Sequence, residues 1–232
     1  MRIVQMPKDL NEELKQKLWM SKRFLQAIIF TALFLVAALF FYIEILSAKL
    51  VWYTAPAFLL AFLYPIGFNH PFKSFSSLRN APGLKLFLIS ASWAYISFLM
   101  PLLVFQEFNP IAIGEFVFRS AIVAALVIPF DIRDIPLDGE EMQTLPQKIG
   151  EKYSIWVACI LMSSYVLWKI TQYFFFNGSL QLAISWIIAG AFGIWLISRM
   201  NSRRSELYCG FWVESIPIFS AIILFVLSFL LA

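Results

Sequence analysis

The feature that most constrains this chain is the recurrence of long, nearly uncharged apolar runs. They fall at roughly 24–46, 51–68, 85–105, 112–130, 154–175, 179–198 and 211–231. A helix of about 18 or more apolar residues matches the hydrocarbon thickness of a bilayer. With no water in that layer, backbone donors and acceptors must be satisfied within the segment, as a helix does. The chain is 61% hydrophobic and 14% charged, with a mean hydropathy of +0.78. No soluble domain of 232 residues needs that much apolar surface. The expectation is an all-α, polytopic integral membrane bundle of about seven transmembrane helices, with residues 1–232 forming a single transmembrane domain. Cys159 and Cys209 are expected as free thiols.

The connections carry the polarity. Residues 1–21 form an amphiphilic segment in which Asp9 followed by Glu12 reads as a capping box opening a short helix. This segment is too polar, and the next apolar run too long, for a cleavable signal peptide. Trp52-Tyr53 is an aromatic pair of the kind found at membrane interfaces. Residues 69–84 carry His70, Lys73, Arg79 and Asn80, and a basic turn occupies 199–204. His70 has no His or Cys nearby in sequence and reads as a loop residue. Fifteen of the eighteen Lys and Arg side chains fall on alternate connections, which the positive-inside rule makes cytoplasmic. The expected topology puts the N-terminus in the cytoplasm and the C-terminus outside, in a bacterial inner or plasma membrane. The net charge of +4 follows from that topology and implies no nucleic-acid partner.

One polar stretch interrupts the apolar pattern. Six of the fourteen acidic side chains lie between Asp131 and Glu151, within a cytoplasmic loop spanning 131–152. Asp131, Asp134 and Asp138, at i, i+3 and i+7, share a face if the segment is helical. Carboxylates converging in this way suit a hard divalent cation, and Mg²⁺ is commonly held by one or two of them together with substrate phosphates. The spacing equally admits a solvated acidic loop between two membrane helices. Pro136 cannot continue a helix interior without cost. Asp131 and Asp134 are therefore expected at a helix end, with Asp138 on a turn beside Gly139.

The run Phe130-Asp131-Ile132-Arg133-Asp134-Ile135, then Asp138, then Thr144-Leu145-Pro146 and Lys148 before Gly150, resembles the second aspartate-rich motif of UbiA-type membrane prenyltransferases. Leu63-Tyr64-Pro65 and Ser77-Leu78-Arg79-Asn80-Ala81-Pro82-Gly83-Leu84-Lys85 resemble a connection in the same family. The resemblance covers about 24–231, through these two patches and otherwise through hydropathy. It implies a bundle around a central cavity, with Mg²⁺ and an isoprenoid diphosphate at the cytoplasmic side. The family has nine helices and a first motif, Asn-Asp-x-x-Asp, at the end of its second helix. This chain resembles that fold without its first two helices and without that motif. Asp9-Leu10-Asn11-Glu12-Glu13 does not match it in order.

By this resemblance Asp131, Asp134 and Asp138 would hold Mg²⁺, Asp131 as a ligand or an outer-shell group. Lys73, Arg79 and Lys148 would contact the diphosphate, although topogenic charge explains each of the three as well. Glu214 is a weaker candidate near the cavity. The implied reaction is transfer of a prenyl group from an isoprenoid diphosphate to an aromatic or other lipid-soluble acceptor. The alternative is a catalytically silent relative that acts as a binding or assembly subunit, or that needs a partner membrane chain. A small transporter is a third reading, but no convincing repeat or paired Gly/Pro-broken spans support it. Glu115 and Arg119, at i, i+4 within a span, are expected to pair as a structural ion pair reaching toward the outer interface. Arg133 is expected to point away from its aspartate neighbours.

Overall fold

A computed structural model of the protein describes residues 52–56, 84–105, 109–138 and 144–230. The segment 1–21, the first expected span, all but 52–56 of the second, and the connection with Lys73 and Arg79 lie outside the described residues. Residues from Tyr53 onward belong to one compact unit, and its described part is helical throughout, with no strand.

Among the described residues, five helices are long and apolar enough to cross a membrane. They are α1 (Leu84–Phe105), α2 (Pro110–Asp134), α4 (Glu151–Phe175), α5 (Leu180–Ser198) and α6 (Tyr208–Leu230). A short helix, α3 (Leu145–Ile149), precedes α4. These five correspond to the third through seventh apolar runs, so the chain is an integral membrane helical bundle. The Cys residues are free thiols.

Local chemistry sets the ends. Asn109 is extended and its side chain accepts from Ala112 N at 2.9 Å, with Pro110 opening α2. That pairing satisfies one of the orphan donors of a helix start. At the other end α2 stops at Asp134, and Ile135–Leu137 form a turn through Pro136, as the proline requires. Gly150 has φ of +84°, a conformation suited to glycine, and turns the chain from α3 into α4. Ser179 caps α5 by accepting from Leu182 N at 3.2 Å.

Each long helix packs on its neighbour in the chain, and the first turns of α6 touch both α2 and α5. The buried seam draws Ile122, Ile128 and Ile132 from α2, Met162 and Tyr165 from α4, Trp186 and Ile197 from α5, and Val213 and Ile216 from α6. Small residues allow close approach, as expected where lipid supplies no hydrophobic drive between helices. Large apolar side chains such as Trp156, Ile160, Leu167, Phe225 and Phe229 stay exposed and form surface suited to acyl chains.

A Cβ added at Gly190 would run into Val166 Cγ2, so α5 meets α4 there without room for a side chain. Gly190→Leu is expected to destabilise the bundle by about 1–3 kcal/mol through overpacking. Reversible unfolding in mixed micelles would measure the loss, and Val166→Ala should recover part of it. An unchanged midpoint would contradict this contact.

Candidate functional site

A cavity of about 810 Å³ opens between α1, α2 and α6, with Tyr165 of α4 and Trp186 of α5 also on its wall. Helix α2 contributes Arg119, Ile122, Val123, Leu126, Val127 and Phe130. Those positions fall in two interleaved rows spaced by three and four residues, so they form one continuous helical face. At 1.5 Å per residue the face runs about 16 Å along the axis. Ile89, Trp93 and Ser97 line it from α1, and Glu214, Pro217 and Ile218 from α6. Trp93 and Ile218 are exposed, so the groove is open along part of its length.

Two π-helical segments border this groove. One, Tyr95–Leu99, carries Ser97 on the wall. The other, Tyr208–Val213, ends just before Glu214. Such widened turns occur often at functional sites. Arg119 lies over the Phe98 ring, 4.8 Å from its centroid. The volume falls in the range of roughly 300–1,000 Å³ typical of small-molecule sites.

At one end of the α2 face sits a charge cluster. Glu115 is only 3% exposed, and its carboxylate accepts five hydrogen bonds from four side chains. Oε1 takes Arg119 Nε at 2.6 Å and Lys169 Nζ at 2.7 Å. Oε2 takes Lys169 Nζ at 2.7 Å, Trp168 Nε1 at 2.8 Å and Gln172 Nε2 at 3.1 Å. Lys169 Nζ also donates to Gln172 Oε1 at 3.0 Å. Trp168, Lys169 and Gln172 stand on one face of α4, and Phe118 stacks on Trp168 with centroids 4.9 Å apart. The Glu115–Arg119 pair forms as the i, i+4 spacing requires. The buried Lys169 changes its character: this is an inter-helix network, tied to α4 rather than reaching out to an interface.

The other end of α2 carries the aspartates. Asp131 is 3% exposed, and its Oδ1 accepts Lys85 Nζ at 2.7 Å. Asp134 accepts from Arg133 at both oxygens, Oδ1 from Nε at 2.8 Å and Oδ2 from Nη2 at 3.2 Å. The expectation for Arg133 is thereby corrected. Helix α2 ends one residue later, so the long side chain can fold back onto its neighbour and over the Phe130 ring, 5.3 Å from its centroid. Asp138 stands beyond the turn, its backbone N–H donating to Asp134 O at 2.8 Å. The division expected from Pro136, two aspartates at a helix end and one on a turn, holds. Lys148 is exposed on α3, and Thr144 Oγ1 is buried with no hydrogen-bond partner among the described residues. Glu214 is exposed and lines the groove.

Asp134 and Asp138 are near enough for their charge to act on Asp131. Even so, no three His, Cys, Asp or Glu side chains among the described residues are grouped to hold a metal ion. Asp131 and Asp134 each spend oxygens on a protein cation instead. The donor chemistry suits Mg²⁺; as placed, these residues do not fit it. Lys85 and Lys169 are the partners that residue spacing alone did not single out. The available signal was each lysine's position, one at the very start of a span and one inside a span, facing a carboxylate on α2.

No family model, curated protein or solved structure matches this chain.

Proposed function

We propose that this chain is a UbiA-like integral membrane protein that binds an isoprenoid lipid in the groove along α2 and serves as a binding or assembly subunit. The observation that carries this reading is the contrast between the two parts of the site. The groove is roomy and apolar, with Phe130, Trp93, Tyr165 and Trp186 on its walls. Two of the three aspartates that would do metal chemistry, Asp131 and Asp134, are paired with Lys85 and Arg133. A long apolar chain gains from burial in such a groove by about 0.8 kcal/mol per CH₂, whatever happens to its head group.

A second reading is Mg²⁺-dependent prenyl transfer from an isoprenoid diphosphate to an aromatic or lipid-soluble acceptor. One observation favours it: Asp134 lies one helical turn beyond Phe130, so it continues the groove-lining face of α2. The Arg133–Asp134 pair is half-buried but still reached by solvent, so it is worth only about 1 kcal/mol and is cheap to exchange for another partner. In that reading Asp131, Asp134 and Asp138 would hold the cation, with Lys73, Arg79 and Lys148 on the diphosphate.

The double variant Asp134→Asn/Asp138→Asn separates the two. Geranylgeranyl diphosphate binding to the purified full chain is expected to stay within about threefold of wild type, well under 1 kcal/mol, and quinone-precursor acceptors should yield no prenylated product. Mg²⁺-dependent binding lost in the double variant, together with turnover by wild type, would replace the first reading with the second.

A further inference from the structure

The Glu115 cluster holds two cations against one carboxylate. Lys169 is enclosed, with a side chain 4% exposed, and spends its charge on Glu115 at 2.7 Å. Arg119 is different. Its Nε is committed to Glu115, but its side chain is 35% exposed and lies on the groove wall. Its two Nη groups have no hydrogen-bond partner among the described residues. Glu214 lines the same cavity from α6 but forms no ion pair with Arg119. The cluster therefore presents one uncompensated positive charge to an apolar groove inside a membrane span, where such charges are costly and normally paired.

We propose that Arg119 is the head-group site for a singly charged amphiphile, a long-chain carboxylate, whose chain lies along the α2 face toward Phe130. The two free Nη groups match the two oxygens of a carboxylate, the fork geometry at which arginine excels. One negative charge closes the count, since Glu115 already offsets Lys169. The apolar positions from Ile122 to Phe130 extend away from the guanidinium for roughly the length of a medium acyl chain, about 12 Å. Trp93 and Ile218 leave the side open for entry from lipid. This inference rests on the groove being a lipid site, and it assigns that site a second end, distinct from the aspartates.

The test uses tritiated palmitate and the detergent-purified full chain, with unlabelled palmitate or 1-hexadecanol as competitor. Palmitate should compete at least tenfold better than the alcohol, a comparison that needs no variant. Arg119→Gln should weaken palmitate binding at least tenfold. Lys169→Met should do the same although Lys169 does not itself line the groove, because Glu115 and Arg119 then form a neutral pair. Glu214→Gln should leave binding equal or tighter, since it removes a repelling charge. Equal competition by hexadecanol, or wild-type affinity in both cation variants, would overturn the assignment. Geranylgeranyl diphosphate binding on the same samples keeps the two proposals apart. If it persists while palmitate and hexadecanol are indistinguishable, the Arg119 site falls and the isoprenoid reading stands. If neither lipid binds, both fall.

Discussion

Glu115→Gln is expected to destabilise the bundle by about 3–5 kcal/mol, the cost of breaking a buried ion pair and leaving one charge uncompensated. The charge left behind is Lys169, whose side chain is almost fully enclosed between α2 and α4. Glutamine keeps the shape and can still accept from Trp168, so the loss isolates charge from packing. Adding Lys169→Met should recover most of it, because replacing a buried pair with apolar groups of similar volume is often neutral. Arg119 then remains at the groove wall, where it is partly open. Unfolding in mixed detergent micelles, followed by circular dichroism, gives both numbers. A loss below about 1 kcal/mol, or a double variant no better than the single, would show that the network contributes little.

Lys85→Met is the second large effect, about 3 kcal/mol, at the lower end of the range for a broken buried pair. The lower figure follows from Lys85 itself remaining 22% exposed while the Asp131 side chain is only 5% exposed. Water reaches one partner and not the other. Asp131→Asn in the same chain should restore most of the stability, since both charges then leave together. This variant also bears on function. Releasing Asp131 from lysine makes a carboxylate available, so under the prenyl-transfer reading millimolar Mg²⁺ would raise the melting temperature of Lys85→Met through selective binding to the folded state. The proposed binding role predicts no such rise. Agreement of the single and double variants would instead mean that the 2.7 Å contact carries no net stability.

Much of the architecture was readable because its causes are local. Apolar length specifies a membrane helix without reference to partners, and the third to seventh apolar runs appear as α1, α2, α4, α5 and α6. Pro136 ends α2 for a reason internal to its own ring. The Glu115–Arg119 pair follows from helical spacing, which brings the two side chains together whatever surrounds them.

What depended on long-range packing was not readable. Lys169 meets Glu115 from 54 residues away, and Lys85 meets Asp131 from 46 residues away. Spacing within a single helix cannot forecast either. The three aspartates illustrate the consequence: their periodicity suggested a shared ligand, but α1 delivers a lysine to the first and the helix end turns an arginine onto the second. The groove was expected from resemblance only. Its walls come from five helices, and the Phe and Trp residues that form it look in sequence like those that face lipid. The same holds for Glu214, a weak candidate near the cavity by resemblance only, which lines the groove.

The most direct test of the central claim is to locate the isoprenoid itself. A geranylgeranyl analogue carrying a photoreactive diazirine, crosslinked to the purified full chain and mapped by peptide mass spectrometry, reports where the chain lies. The account predicts labelling of groove residues such as Trp93, Leu126 and Ile218, suppressed by unlabelled geranylgeranyl diphosphate. Labelling confined to exposed positions outside the groove, such as Trp156, Phe225 and Phe229, and indifferent to competitor, would contradict it.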